Sequence, residues 1–113
     1  MAKRNTLMNA PPFAVAQSLK ILGERLRRAR LRRDLTIALV ADKIGTGVRA
    51  VRDAEHGRPS ASIGTYWALL WAYDLLGPAD ALADPAQDIE GQALERRRER
   101  SSGRRAGTLD NDF

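Results

Sequence analysis

Apolar residues recur with a helical period in the first third of the chain. From Phe13 onward they alternate steps of four and three residues, which is the spacing of one helix face. The pattern predicts a long helix that starts just after Pro12, a residue suited to a first helical turn, and ends before Asp34. Gly23 inside this helix costs about 1 kcal/mol relative to alanine, so we expect a bend or a close helix contact there. The positions that carry the pattern are Val15, Leu19, Leu22, Leu26 and Ala29.

Residues 35–60 contain the capping and helix-ending residues expected of two short helices joined by a tight turn. Thr36 is a suitable N-cap for the first helix, and Gly45 is a residue type that ends helices. The apolar spacing turns these residues inward: Leu39, Val40 and Ile44 of the first helix, and Val51 and Ala54 of the second. Four side chains near the start of the second helix are left pointing outward: Val48, Arg49, Arg52 and Asp53. Such a short helix, in a basic protein, suits an element that enters a DNA groove.

A further helix is predicted from Ile63 to about Tyr73, with Ser62 as its cap. Its apolar residues lie on more than one face, which leaves surplus aromatic surface on a small domain. We expect a second copy of the chain to cover it; the alternative is a monomer with a wider core. The residues predicted for this dimer interface are Tyr66, Trp67, Leu70 and Trp71.

The chain after this helix is more polar. We expect a break near Asp74 and a following helix through Leu82, rather than one helix that runs on to Gly77. A last helix is predicted to reach the arginine run that ends at Arg100. The final residues have the composition of a flexible tail, yet they carry two large apolar side chains, Leu109 and Phe113. This tail is either a partner-binding peptide or an inert terminus.

These patterns together predict an all-α protein. We expect a compact helical bundle with a central helix-turn-helix, a flexible basic N-terminal arm and a flexible C-terminal tail. The predicted boundaries are 1–12 for the arm, 13–84 for the DNA-binding and dimerisation domain, 85–100 for a charged extension and 101–113 for the tail.

The amino-acid composition limits the kinds of site and activity that the chain can contain. The 113 residues include no cysteine and one histidine, so disulfides and thiolate metal sites are excluded and no metal or other cofactor is expected. No Gly-rich phosphate loop or paired carboxylates suggest a reaction, and an enzyme is not expected. The sequence has no membrane-spanning run and no signal-peptide pattern, which predicts a cytoplasmic protein. An arginine-rich first helix on a membrane surface is disfavoured, because its apolar stripe is needed for the core.

Charge is divided along the chain. Residues 1–58 carry 13 Lys/Arg and 5 Asp/Glu, residues 59–95 carry no Lys/Arg and 6 Asp/Glu, and residues 96–113 carry 6 and 3. A basic half that contains the helical pair indicates a phosphate-binding face, against the alternative of a solvated basic surface. Six arginines between Arg25 and Arg33 suit either a helix C-terminus or nearby DNA. Arg30 falls on the apolar side, where its charge requires a partner, and Glu55 is predicted to be that partner in a structural ion pair.

The helical pair resembles the Xre or Cro/C1-type helix-turn-helix family over about residues 22–73. The resemblance rests on Arg30, Leu35-Thr36, Val40-Ala41, Lys43-Ile44-Gly45, Val51, Glu55, Gly57 and Pro59-Ser60. It implies a bundle of about five helices that dimerises and represses transcription at palindromic operators on double-stranded DNA. It also implies that Val48, Arg49, Arg52 and Asp53 face base edges.

By the same resemblance, Thr36, Lys43, Thr46, His56 and Arg58 lie near phosphates. Two positions depart from the family pattern. Ile37 stands where a glutamine is frequent, and Gly47 replaces a frequent Ser or Thr cap. These departures concern operator affinity and preference rather than the packed core.

The flanks are similar to HipB-like antitoxins, on the stretches GTYWALLWAYDLLGPADALADPAQD and ALERRRER and the closing LDNDF. That similarity implies a HipA-like serine/threonine kinase toxin as partner and a role for the tail in binding it. The alternatives are a stand-alone repressor of the same family and a protein-binding adaptor. The outward Arg49 and Arg52 disfavour the adaptor, since a protein-binding adaptor needs no salt-sensitive affinity for DNA.

Overall fold

The computed structural model describes residues 5–104, and this part of the chain is all-α, as the sequence predicts. The helices are α1 (Thr6–Asn9), α2 (Phe13–Arg32), α3 (Ile37–Ile44), α4 (Val48–Glu55), α5 (Ile63–Ala72), α6 (Leu76–Ala79) and α7 (Ile89–Arg104). A short 3-10 turn at Pro85–Gln87 precedes α7. Within these residues, every helix is too short or too polar to span a bilayer.

The chain divides into two compact units. The first ends at Ala79 and the second begins at Asp80, so the first unit ends before the predicted domain boundary at residue 84. The first unit contains α1 to α6 and the hydrophobic core. The core consists of Leu26, Ala29, Val40, Ala41, Val51, Ala54, Tyr66, Leu69 and Tyr73.

The long predicted helix is present as α2, and Gly23 lies at a close contact. A Cβ added to Gly23 would meet the backbone oxygens of Glu55 at 2.6 Å and Ala54 at 2.7 Å. A Cβ on Gly57, whose φ is +68°, would in turn meet the backbone oxygen of Leu19 at 2.5 Å. Because neither glycine carries a side chain, the end of α4 packs directly against the backbone of α2.

The local signals at the start and end of the helices agree with the sequence analysis. The Thr36 hydroxyl accepts a hydrogen bond from Leu39 N at 3.1 Å, and the Ser62 hydroxyl accepts one from Thr65 N at 3.1 Å. Gly45 ends α3 in the left-handed region, with φ +79°. The predicted break near Asp74 is confirmed, since α5 ends at Ala72. The helix after it is shorter than predicted and ends at Ala79.

The first residues of the chain include a short helix where the sequence predicts a flexible arm. In α1, the Asn5 side chain accepts a hydrogen bond from Met8 N. The last predicted helix is present as α7 and extends beyond Arg100 to Arg104. The Asp88 carboxylate accepts from Gly91 N at 2.9 Å and so caps this helix.

One inward prediction is wrong. The apolar spacing predicts that Leu39 faces inward from α3, but its side chain is 57% exposed. Val40 and Ala41 are the buried residues of α3, because they face the core between α4 and α5. A helix of two turns has too few residues for apolar spacing alone to fix the angle of its buried face.

Candidate DNA-binding surface

The turn between α3 and α4 is held by backbone bonds. Gly45 N donates to Asp42 O at 3.2 Å, and Thr46 N donates to Ala41 O at 2.9 Å. Gly47 occupies the N-cap position of α4 and supplies no side-chain cap, because glycine has no side chain that could accept a hydrogen bond. The turn is therefore tight, and only three residues separate the end of α3 from the start of α4.

Helix α4 has one buried side and one exposed side. Val51 and Ala54 are fully buried, whereas Arg49 and Arg52 are exposed. Val48, one turn before Arg52, is also exposed. Because Gly23 allows the C-terminal end of α4 to pack against backbone, the helix is fixed with its arginines turned toward solvent.

The predicted ion pair of Arg30 and Glu55 is present. Arg30 Nε donates to Glu55 Oε2 at 2.6 Å and Arg30 Nη2 donates to Glu55 Oε1 at 3.0 Å, and both side chains are buried. Arg30 Nη1 also donates to the backbone oxygen of Leu35 at 2.9 Å. The hydrogen bond to Glu55 raises the pKa of Arg30 above its ordinary value. This one side chain therefore joins α2, the segment before α3 and the end of α4.

A second pair lies at the edge of the exposed surface of α4. Arg58 Nε lies 3.4 Å from Asp53 Oδ1, and the backbone oxygen of Arg58 accepts a hydrogen bond from the Tyr66 hydroxyl at 2.9 Å. A residue predicted to contact bases and one predicted to contact phosphate are thus paired with each other. This pair is not among the contacts predicted from the sequence, although the i, i+5 spacing just past a helix end leaves such a contact within reach.

The other residues predicted to lie near phosphate differ in their surroundings. Lys43 is exposed, and its Nζ lies 5.9 Å from the centre of the Trp71 ring, within range of a cation–π contact. His56 is exposed and Thr46 is half-buried. Thr36 is exposed while its hydroxyl caps α3. All of them belong to the segment from the start of α3 to the loop after α4.

Arg33 has a structural role that sequence reasoning missed. Its Nη2 donates to Tyr73 O at 2.9 Å, its Nη1 donates to Ala29 O at 2.9 Å, and its guanidinium lies 5.6 Å from the centre of the Tyr73 ring. This arginine of the basic cluster therefore ties the end of α2 to the end of α5. The two residues are 40 positions apart, and no spacing signal connects them.

Tyr73 is buried beside these charges. Among the described residues its hydroxyl has no hydrogen-bond partner, and burial, followed by the negative charge of Glu55, raises the pKa of Tyr73 to about 12. Burial, followed by Asp53, also raises the pKa of Tyr66.

The predicted dimer residues do not share one environment. Tyr66 is only 4% exposed and belongs to the core of its own chain, so its assignment to a dimer interface is corrected. Trp67 and Leu70 are half-buried against that core, and Trp71 is 57% exposed. The predicted partner-binding residues Leu109 and Phe113 lie outside the described residues.

Two short helices joined by a tight turn, with the second presenting exposed arginines, define a helix-turn-helix domain. Residues 26–75 match the sequence model of the helix-turn-helix family, which is the Xre/Cro-like family that the residue pattern resembles. No curated protein and no solved structure gives a significant match to the chain. The family match supports a DNA-binding transcription regulator.

Proposed function

We propose that the protein is a sequence-specific transcriptional repressor and that α4 is its recognition helix. One observation carries the proposal: α4 buries Val51 and Ala54 and turns Arg49 and Arg52 to solvent. The major groove is about 12 Å wide and admits an α-helix, and arginine is the commonest side chain that reads guanine there.

The residues of α4 take different roles in this proposal. Arg49 and Arg52 donate to guanine O6 and N7, and Val48 contacts a thymine methyl group. Asp53 accepts from a cytosine amino group once Arg58 leaves it for a phosphate oxygen. Proposed phosphate contacts come from Thr36, Lys43, Thr46, His56 and Arg58, which fix the register without reading sequence.

The proposed repressor acts as a homodimer on a palindromic site. Two copies place their recognition helices in successive major grooves, about 34 Å apart, and block access to a promoter. Trp71 is the residue best suited to the dimer contact, because its large aromatic side chain is more than half exposed and lies on the same helix face as Trp67, four residues earlier. Trp67 and Leu70 lie on the same helix and contribute their exposed parts.

The test compares Arg49→Gln with Arg28→Gln, which removes the same charge from an exposed position of α2. Duplexes selected by the wild-type chain from a randomised pool supply the operator, and unselected duplexes measure non-specific binding. Loss of one bidentate contact lowers the difference in binding free energy between the selected and the unselected duplexes by about 1–3 kcal/mol. We expect this loss for Arg49→Gln alone. Equal losses for both variants, or no sequence selected at all, contradict the proposal.

A protein-binding adaptor with the same fold gives a different result. Its affinity for any duplex stays low and does not vary as a power of the salt concentration. Salt titration of the wild-type chain on the selected duplex therefore separates the adaptor from the repressor.

We further propose that this repressor is the antitoxin of a HipA-like kinase. The support is the resemblance of the sequence flanks and of the tail that ends in Leu109 to Phe113. Full-length protein and a variant that ends at Gly107 are purified from the native host with their bound proteins and DNA. A kinase recovered only with the full-length chain supports the pairing. Promoter DNA recovered by both, without a kinase, indicates a stand-alone repressor.

A further inference from the structure

Helix α7 separates its charges by face. At about 100° per residue, Arg96, Arg97 and Arg100 lie within an arc of about 100° on the helix. Glu95 and Glu99 lie close together on a different side of the same helix. All five side chains are exposed, so α7 presents a basic face and an acidic edge to its surroundings.

Pairs within the helix balance only part of this charge. Opposite charges three or four residues apart stabilise a helix, whereas like charges at these spacings destabilise it. Arg96 has an opposite-charge neighbour in Glu99, but Arg97 and Arg100 have no acidic residue three or four positions away, and Arg96 and Arg100 form a like-charge pair. The charges of Arg97 and Arg100 therefore require another explanation.

The helix dipole does not supply that explanation. A C-terminal cation is stabilised by the dipole only within about the last turn. Arg96 and Arg97 lie roughly two turns before the end of α7 at Arg104. Their position therefore owes little to the helix end.

The start of α7 is anchored within its own unit. The Asp88 carboxylate caps the helix, and the Gln92 side chain donates to the backbone oxygens of Pro85 at 2.9 Å and Ala86 at 3.1 Å. These bonds connect the helix to the 3-10 turn before it. The three arginines therefore belong to a helix whose first turn is fixed to the preceding 3-10 turn by side-chain hydrogen bonds.

We propose that the basic face of α7 is a second DNA-binding element, which contacts phosphates of the bound duplex without reading its sequence. The proposal rests on the DNA binding proposed for α4. Arginine binds phosphate oxygens through a planar fork of donors, and such contacts are independent of base sequence. Attachment to a DNA-binding domain in the same chain raises the local concentration of phosphate around α7, which favours DNA over an acidic protein as the ligand.

The experiment measures operator affinity of the full chain as a function of salt. The triple variant Arg96→Gln/Arg97→Gln/Arg100→Gln is compared with the wild type and with the matching triple lysine variant. Each lost phosphate contact reduces the slope of log K against log[salt] by about 0.9, so the loss of three contacts in each copy of the dimer reduces it by about 5.4 for the glutamine variant. Between about 50 and 200 mM salt, the wild type should lose about 2,000-fold more affinity than this variant. The lysine variant should keep most of the wild-type slope.

A further comparison excludes an effect of net charge alone. Arg97→Gln and Arg98→Gln remove the same charge from different faces of α7, and only Arg97→Gln should reduce the slope. Circular dichroism reports the helix content; if the glutamine triple loses helix, the two single variants decide.

An unchanged slope for the glutamine triple overturns the proposal and leaves the face free for an acidic protein surface. Equal effects of Arg97→Gln and Arg98→Gln also overturn it. These results are distinct from a failure of the repressor proposal, which appears as a wild-type chain that selects no sequence. A chain that selects an operator through Arg49 and ignores the changes in α7 contradicts only the second element.

Discussion

Arg30 of α2 and Glu55 of α4 form a two-bond pair inside the first unit, with nitrogen–oxygen distances of 2.6 and 3.0 Å. The pair joins the long helix to the end of the proposed recognition helix. Removal of one partner leaves a buried charge unpaired, which is more costly than replacement of both. The pair therefore makes the orientation of α4 sensitive to a residue that lies outside the DNA-binding surface.

Arg30→Ala should lower the free energy of unfolding by about 3 kcal/mol, measured by urea denaturation. Arg28→Ala, on an exposed position two residues earlier, should change it by less than about 0.5 kcal/mol. The double variant Arg30→Met/Glu55→Leu should recover most of the loss, because it leaves no unpaired charge. Equal stability of Arg30→Ala and Arg28→Ala would show that the pair contributes nothing.

Gly23→Ala should destabilise the first unit by about 1–3 kcal/mol, because its Cβ would meet the backbone oxygens of Ala54 and Glu55 within 2.7 Å. Gly64→Ala is the matched control in α5, where the nearest atom to an added Cβ is Ser62 Oγ at 3.7 Å. Alanine there should stabilise the helix by about 0.5–1 kcal/mol. If both substitutions raise the melting temperature, α2 and α4 are not in close contact.

Two buried tyrosines should respond differently to loss of the hydroxyl group. Tyr66→Phe removes a hydrogen bond to Arg58 O and should cost about 1 kcal/mol. Tyr73→Phe removes a buried hydroxyl that has no partner within residues 5–104, so it should leave the stability unchanged or increase it. Urea denaturation at pH 7 compares the two. A larger loss for Tyr73→Phe than for Tyr66→Phe would mean that the Tyr73 hydroxyl is bonded in solution.

Stability should fall in alkaline solution partly because of Tyr73. Its pKa is about 12 in the folded chain and about 10 when unfolded, so the unfolded state loses its proton first. The stabilisation that arises from this difference is complete below pH 10 and is lost as the pH rises through about 12. Tyr73→Phe should therefore show a smaller fall in urea midpoint between pH 9 and 11 than the wild type. Parallel falls in the two proteins would contradict the raised pKa.

The helix order and most of the turn between α3 and α4 were predictable because their signals are local. Thr36 and Ser62 cap helices through bonds to residues three positions away, and Gly45 adopts a left-handed conformation that glycine accepts readily. The Arg30–Glu55 pair was predictable for another reason. A charge on an apolar helix face requires an opposite charge, and few candidates of that sign lie in the paired segment.

The sequence by itself thus determined an all-α chain, the two short helices with their turn, and the outward arginines of α4. Only the tertiary structure decided that Tyr66 is core while Trp71 is exposed, that Arg33 binds the end of α5, and that Asp53 pairs with Arg58. Caps and turns depend on atoms within a few residues, which the sequence specifies directly. Burial of a given face and pairing across 40 residues depend on which neighbouring helix covers that face, and this is fixed only when all the helices pack together.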